Sequence, residues 1–313
     1  MRVLILGATG MLGHKLCQLL PTMGLEVVAT IRGSQNWKAT HPQVFGQVEL
    51  VPGVDVLDEA RLEATLPQIR PEVIVNGIGI VKQKAEADDR YLSVAINSFL
   101  PHRLAKWCAT NGSRLIHIST DCVFDGRRGT YLETDPSNAG DVYGKSKFLG
   151  ETTNDQAAAV TLRTSIIGRE LHEPHHGLLE WFLAQRGGRC KGFSKAIYSG
   201  FTTHELAKVI RLVMDHPKLC GLYQVASTPI DKFDLLQRIN AAYGTDVDID
   251  RDEVFQCDRS LAMIRFSAET GYTPPDWDAM IREMQADATP YDAWLAQARE
   301  IDDKWNRHAF KSC

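Results

Sequence analysis

The stretch Gly7-Ala8-Thr9-Gly10-Met11-Leu12-Gly13 decides the fold of this chain through its neighbours on both sides. The run Arg2–Leu6 before it predicts a buried strand, and Met11–Leu20 has the apolar spacing of a helix. Glycines between a strand and a helix let the backbone turn tightly and approach a phosphate at the helix N-terminus. The alternative is a glycine turn that only packs the helix on a sheet. We assign to the phosphate site Gly7, Thr9, Gly10, Met11, Leu12 and Gly13.

The first half of the chain continues the same alternation of strands and helices. The predicted strands are Glu26–Thr30, Val73–Asn76, Leu115–Ser119 and Ala159–Arg163, and Val94–Thr110 has helical periodicity. Strands that alternate with helices predict an α/β fold with a doubly wound parallel sheet of the Rossmann type.

The sequence changes character after residue 167. We expect irregular stretches at Gly168–Gly177 and Gly187–Gly200. Helices are predicted over the following ranges: Leu178–Gln185, Thr203–Asp215, Lys232–Tyr243, Asp276–Asp287 and Tyr291–Asn306. We therefore divide the chain into a dinucleotide-binding domain, 1–167, and a smaller α/β substrate domain, 168–313, with some segments returning to the first sheet.

The composition excludes several classes of protein. Hydrophobic residues make up 44% of the 313 residues and the net charge is −4, so no basic field attracts nucleic acid. The seven cysteines are scattered and odd in number, which predicts free thiols in a reducing compartment rather than a disulfide or zinc framework. With no signal peptide and no apolar segment of bilayer length, we expect a cytoplasmic protein without membrane insertion.

The end of the second predicted strand bears on the choice of dinucleotide. Ala29-Thr30-Ile31-Arg32 lacks the acidic residue that binds a ribose 2′-hydroxyl and offers an arginine instead. NADP(H) is therefore the preferred cofactor and NAD(H) a possible one, unless Arg32 is only a surface residue. Asp55 could face the adenine amine or be a plain turn residue, and Asn76-Gly77 is also assigned to the cofactor site.

A tyrosine and a lysine supply the predicted chemistry. Tyr143 and Lys147 lie one helical turn apart, so both side chains share one face of a helix. We expect the lysine ammonium to lower the pKa of the tyrosine and make it a usable proton donor and acceptor. Thr120, at the end of a predicted strand, can hydrogen-bond the same substrate oxygen, although a threonine there could also simply cap a turn.

Together these motifs resemble the extended short-chain dehydrogenase/reductases, and most closely the dTDP-4-dehydrorhamnose reductase branch. The resemblance spans nearly the whole chain and is stronger before Ile167. It rests on Gly7-x-x-Gly10-x-x-Gly13, Ile96-Asn97-Ser98, Ser119-Thr120-Asp121-Cys122-Val123-Phe124-Asp125-Gly126, Tyr143-Gly144-Lys145-Ser146-Lys147 and Thr270-Gly271-Tyr272-x-x-Pro275-x-Trp277.

The resemblance implies a role for each matched residue. Tyr143 would be the general acid in a reduction, and Lys147 would hold the nicotinamide ribose and tune Tyr143. Thr120 would polarise the substrate carbonyl, and Asn97 would support Lys147 through water. Asp121 stands where this branch has an acid near the substrate, or it caps a loop. Cys122 departs from the tyrosine or similar residue often found there, and the alternative is that it is simply a buried small residue.

The resemblance implies a nucleotide-sugar substrate and a place in polysaccharide biosynthesis. Four basic residues are candidates for the diphosphate because guanidinium and ammonium groups suit phosphate oxygens: Arg163, Lys195, Arg259 and Arg265. Arg163 and Arg259 are the substrate-binding assignments, and Arg259-Ser260 is the best match to the family. The histidines of His172–His176 lie in a loop, which favours a substrate cover over a metal site.

The leading function is an NADPH-dependent reductase of a nucleotide-diphosphate 4-keto-6-deoxy sugar. Alternatives are an epimerase, a dehydratase or a bifunctional epimerase–reductase; Asp121-Cys122 supplies only half of the acid pair that dehydratases use. A non-catalytic NADP-binding regulatory subunit is an alternative of another class, which the intact Thr120, Tyr143 and Lys147 oppose. Helices Leu92–Ala109 and Val142–Asn154 form dimer faces in many relatives, so a homodimer is possible; the alternative is that their apolar positions belong to the core.

Overall fold

A computed structural model describes residues 1–80, 89–152 and 158–297 of the chain. The strands are β1 (Arg2–Leu6), β2 (Glu26–Thr30), β3 (Glu49–Val51), β4 (Val73–Asn76), β5 (Arg114–Thr120), β6 (Ala159–Thr164), β7 (Ile166–Ile167), β8 (Arg189–Tyr198), β9 (Phe201–Thr202), β10 (Gly221–Gln224), β11 (Ile230–Asp231) and β12 (Asp248–Asp258). The helices are α1 (Met11–Thr22), α2 (Trp37–Thr40), α3 (Pro42–Phe45), α4 (Glu59–Ile69), α5 (Arg90–Ser93), α6 (Leu100–Asn111), α7 (Val142–Leu149), α8 (Leu178–Leu183), α9 (Thr203–Asp215), α10 (Lys232–Tyr243), α11 (Ile264–Thr270) and α12 (Trp277–Gln285).

The central sheet confirms the predicted Rossmann-type fold. Its seven strands are all parallel, in the order β10-β6-β5-β4-β1-β2-β3. Val3 and Ile5 of β1 join a hydrophobic cluster that includes α1 and α9, whereas Leu4 and Leu6 join a second cluster with α4 and α6. Helices therefore cover both faces, which explains why β1 is an apolar run instead of an alternating one.

The two halves of the chain share this sheet. Strand β10 lies well beyond residue 167, yet it pairs in parallel with β6 at the edge of the sheet. Helix α9 packs directly against α1. Segments on both sides of the predicted domain boundary therefore support the helix that follows the glycine loop.

The expectation of an irregular stretch at Gly187–Gly200 is wrong. The structure places there the ten-residue strand β8, which pairs with β12 and β11 in a second sheet. Helix α10 packs on β8, and a Cβ on Gly192 would lie 2.8 Å from Phe233 on that helix. The face of β8 toward the helix thus carries a glycine where most strands have a large apolar residue. The sequence of β8 therefore lacks the clear apolar alternation that predicts a strand.

The segment predicted as one regular helix, Val94–Thr110, has two parts. Residues Val94–Phe99 form a π-helical segment between α5 and α6, and this segment carries Asn97. The wider turn is a local distortion that apolar periodicity does not indicate, and such segments are frequent at functional sites.

The remaining helix predictions agree closely with α8, α9, α10 and α12. Of the predicted helix Tyr291–Asn306, residues 291–297 are helical and the rest lies outside the described residues. Within the described ranges, no helix combines the length and apolar character required to cross a bilayer.

Candidate active site

The phosphate loop joins β1 to α1 with the geometry that the glycine pattern predicts. Gly7 has φ +88°, a conformation that favours glycine, and its carbonyl accepts the amide of Gly10 at 3.1 Å. A Cβ on Gly13 would overlap the Gly7 carbonyl, so glycine there lets the helix pack on the strand end. No described side chain caps the start of α1. Its first amides are therefore available to an anion, and the loop fits a dinucleotide pyrophosphate.

The carboxyl edge of the sheet brings together three predicted catalytic residues: Thr120, Tyr143 and Lys147. Thr120 ends β5, and α7 begins beside it, where the side chain of Asp141 accepts the amide of Gly144 at 2.8 Å. The hydroxyls of Tyr143 and Thr120 interact through a hydrogen bond. The cap fixes the first turn of α7, and with it the position of Tyr143 against the strand end.

Tyr143 is held as a protonated phenol, which corrects the sequence-based expectation. Burial raises the pKa of Tyr143, the neighbouring Cys122 raises it further, and the hydrogen bond with Thr120 lowers it only in part. The expected net lowering by Lys147 is not observed, and the ammonium of Lys147 donates to the carbonyl of Ile118 at 2.7 Å. A phenol that keeps its proton at neutral pH suits a proton donor better than a base.

Lys147 is buried, one helical turn after Tyr143 in α7. Burial lowers the pKa of Lys147 to about 8, against the opposing effect of the Glu151 carboxylate. A Cβ on Gly79 would lie 3.8 Å from the Lys147 Nζ and 3.3 Å from the Asn97 Oδ1. The loop after β4 therefore passes directly over Lys147 and Asn97, and a side chain at Gly79 would crowd both groups.

Asn97 organises this loop. Its side-chain oxygen accepts the amide of Ile80 at 2.9 Å, and its nitrogen donates to the carbonyl of Ile80 and to the hydroxyl of Ser146. The implied support of Lys147 is therefore indirect, through the neighbouring residue Ser146 and through the shape of the loop. The water-mediated contact stays a prediction.

Arg259 exerts an electrostatic effect on Asp121, the residue that follows Thr120. Asp121 is 7% exposed; burial raises its pKa, while Arg259 and a hydrogen bond from Ser165 act in the opposite direction. Arg259 is half-buried, and its Nε donates to the carbonyl of Phe124 at 2.8 Å. This bond fixes the Nε end of the guanidinium group at the edge of the site.

The four predicted diphosphate contacts have very different surroundings. Arg163 is 1% exposed, and its Nε and Nη2 each donate to Glu151 at 2.7 Å, so the structure argues against a contact between this side chain and a diphosphate. Arg265 is bound to Glu269 and lies over the ring of Tyr223. Lys195 is exposed on β8. Arg259 is the candidate that acts electrostatically on Asp121.

The residues assigned to the adenosine end of the cofactor follow the first strands. Arg32 is exposed just after β2, and Asp55 is half-buried in a turn in which it accepts the amide of Leu57 at 3.0 Å. Gly77 is exposed after β4. Asn76, in contrast, is buried, and its side-chain amide forms hydrogen bonds with the backbone amide of Ile78 and with the ring of His117. Asn76 therefore shapes the loop and presents no free side chain to a ligand.

The loop His172–His176 lies near the start of α1. A Cβ on Gly177 would contact the terminal methyl of Met11, and the rings of His172 and Trp37 are 6.0 Å apart. Across the part of the chain that the structure describes, no group of three or more histidine, cysteine, aspartate or glutamate side chains is arranged to hold a metal ion.

Two polar residues near the site carried no signal in the sequence. Glu151 accepts the hydroxyl of Ser119 at 2.7 Å, binds Arg163 and acts on Lys147. Ser165 reaches Asp121. Neither belongs to a motif: Glu151 follows Lys147 by four residues, whereas Ser165 comes beside Asp121 through the pairing of β5 with β6.

Comparisons with known proteins find a matching family and similar sequences. The model of the family described as the RmlD substrate binding domain matches residues 1–248. The spore coat polysaccharide biosynthesis protein SpsK of Bacillus subtilis is 29% identical over 239 residues, which cover 73% of this chain and 74% of that protein. A dTDP-4-dehydrorhamnose reductase of Streptomyces griseus is 32% identical over 151 residues, or 48% of this chain and 43% of that protein. The match thus spans less than half of that reductase.

Solved structures extend the likeness over more of the chain. A hypothetical dTDP-4-dehydrorhamnose reductase from Sulfolobus tokodaii superposes with a TM-score of 0.72 at 26% identity. That superposition covers 90% of this chain and 99% of the other. The second half, where sequence motifs are sparse, therefore shares the fold as well.

Proposed function

The chain belongs to the family of the RmlD substrate binding domain, and on that premise we propose that it is a nicotinamide-dependent reductase of a nucleotide-linked sugar. The observation that supports the proposal best is the meeting of Thr120, Tyr143 and Lys147 at the carboxyl edge of the sheet, beside an open phosphate loop. Ligands of such sheets bind at this edge.

The chain's own residues account for the polarisation and protonation of the oxygen in a carbonyl reduction. Thr120 hydrogen-bonds and so polarises the carbonyl oxygen, and Tyr143 delivers its proton to that oxygen as negative charge develops. Lys147 supplies a positive charge and a ribose contact. A reduced nicotinamide held on the glycine loop would supply the hydride. The raised pKa of Tyr143 keeps the proton in place until the transfer.

NADPH is the cofactor that we propose, with NADH as the weaker alternative. Arg32 is exposed at the end of β2, free of any acidic neighbour in the Thr30–Arg32 stretch, and can pair with a 2′-phosphate. Affinity measurements on both reduced dinucleotides test this choice.

A nucleotide-diphosphate 4-keto-6-deoxyhexose is the proposed substrate. Arg259 is half-buried, acts electrostatically on Asp121 and would bind the diphosphate, while the keto group would lie against Thr120. Binding energy from the nucleotide would orient the sugar over the catalytic groups. The family and its relatives support this class of substrate.

The direct test follows NADPH absorbance with freshly prepared dTDP-, UDP- and GDP-linked 4-keto-6-deoxyhexoses. We expect at least one to be reduced, with the activity lost in Tyr143→Phe. If none is reduced or bound, and another protein co-purifies in a fixed ratio, the regulatory-subunit alternative replaces the reductase. Retention of tightly bound oxidised cofactor with no net consumption of NADPH would favour an epimerase.

We further propose a homodimer in the cytoplasm. Large apolar side chains are exposed together around α5–α7: Tyr91, Val94, Phe99, Phe148 and Leu149. A patch of this kind marks an interface, and the resemblance points to a second copy of the chain. Sedimentation should show a dimer that Phe99→Glu dissociates. The control Val254→Glu replaces a residue that is 89% exposed on β12 and should leave the dimer intact.

A further inference from the structure

A chain of hydrogen bonds runs from the C-terminal segment to the phosphate loop. The Nε2 of His14 lies 2.8 Å from the hydroxyl of Tyr291, and its Nδ1 lies 2.9 Å from the carbonyl oxygen of Gly10. His14 is fully buried and Tyr291 is 2% exposed. The contact joins residues 277 positions apart in the sequence.

The direction of each bond follows from the chemistry of the partners. A carbonyl oxygen can only accept, so the Nδ1 of His14 carries the proton and donates to Gly10. Burial, and then the neighbouring Lys15 ammonium, lowers the pKa of His14 to about 3, so the ring is neutral. Its Nε2 therefore carries a free lone pair, and Tyr291 donates to it. The Gly10 carbonyl thus sets the tautomer of the histidine, and the Tyr291 hydroxyl holds the other ring nitrogen.

This chain of bonds controls the orientation of one peptide bond. The Gly10 carbonyl also accepts the amide of His14 at 3.0 Å, so two donors hold it toward the helix. In a planar trans peptide the amide of Met11 points opposite to the Gly10 carbonyl. Holding the carbonyl inward thus aims the Met11 amide out of the N-terminus of α1, where a pyrophosphate would bind.

The segment that carries Tyr291 is itself fixed on α1. Lys15 is buried and forms an ion pair with Asp287, and Gln18 donates to the hydroxyl of Thr289 at 2.8 Å. His204 of α9 also faces Asp287, at 3.5 Å. These contacts leave Tyr291 little freedom to move away from His14.

From these contacts we infer that Tyr291 and His14 are positioning residues that preorient the phosphate loop for the pyrophosphate of the cofactor. The inference rests on the proposed function, because it presupposes a dinucleotide on this loop. It assigns a part in cofactor binding to the last described helix, residues 291–297, far from the glycine motif in the sequence.

The test compares two ligands by calorimetry: NADPH, and adenosine 2′-monophosphate, which has the 2′-phosphate but no pyrophosphate. Tyr291→Phe removes only the hydroxyl and should raise the Kd of NADPH by roughly two- to tenfold, the value of one hydrogen bond. The Kd of adenosine 2′-monophosphate should not change. His14→Phe should weaken NADPH binding at least as much.

Tyr272→Phe is the matched control. It removes a half-buried tyrosine hydroxyl that donates to Glu205 at 2.6 Å, away from the loop, and should leave both Kd values unchanged. Unchanged NADPH binding in Tyr291→Phe, or equal weakening of both ligands, would overturn the inference while the reductase proposal stands. If the wild-type protein binds NADPH no better than the fragment, both fail.

Discussion

Replacing Gly13 by alanine should damage the phosphate loop and the fold together. The new Cβ would overlap the carbonyl oxygen of Gly7 and lie 2.8 Å from its carbonyl carbon and 3.1 Å from the Cα of Ala8. Carbon atoms in contact normally stay about 3.5–4.0 Å apart, so α1 must move away from β1 by roughly 1 Å. All three obstacles are backbone, so no side chain can rotate to make room.

The energetic consequence follows from overpacking. Forcing a methyl group into such a contact costs about 1–3 kcal/mol, which corresponds to a Tm lower by roughly 1.5–5 °C in a chain of this size. The displaced helix N-terminus should also raise the Kd of NADPH by at least about tenfold, because a pyrophosphate depends on the position of these amides.

Thermal unfolding and calorimetric titration with NADPH measure the two effects. Gly140→Ala is the control, since Gly140 is exposed, does not have a positive φ, and has no atom within 4 Å of the position that the new methyl group would take. It should keep the wild-type Tm or gain slightly. A Gly13→Ala protein with wild-type Tm and Kd would refute the packing explanation of the third glycine.

Three further outcomes are expected. Tyr143→Phe should lower kcat by roughly 10²–10⁴-fold and keep NADPH binding, since it removes only the proton donor; near-normal turnover would show that another group is the acid. Activity should fall as the pH rises through about 8, because Lys147 loses its proton there, whereas Tyr143 keeps its proton owing to its raised pKa. Lys147→Arg should shift the alkaline limb of any residual activity to higher pH, since arginine has the higher pKa. An unmoved limb would assign the titration to another group. Arg259→Ala should raise KM more than it lowers kcat, whereas the control Arg265→Ala, which breaks a pair with Glu269, should change neither; equal effects of the two would remove Arg259 from the substrate site.

Local patterns in the sequence were sufficient for the frame of the molecule. The glycine loop lies between β1 and α1 as the spacing indicates, because a strand, a tight turn and a helix are specified by neighbouring residues. The Tyr143–Lys147 pair has its predicted helical placement for the same reason. Strand β8 was not predicted, because one face of it packs on a helix through Gly192 and the alternating apolar pattern of a strand is therefore missing.

Only the tertiary structure could separate residues of the same type. Both Arg163 and Arg259 are candidates for a diphosphate in the sequence, but β6 places Arg163 against Glu151 in the interior, while Arg259, just after β12, stays half-buried and acts electrostatically on Asp121. The pKa of Tyr143 likewise depends on burial and on Cys122, and the link from Tyr291 to Gly10 depends on a contact across most of the chain. The sequence by itself therefore determined which elements form and which residues could do chemistry, since both depend on local spacing. Burial and long-range partners, which decide what each of those residues is free to do, arise only when distant segments pack together.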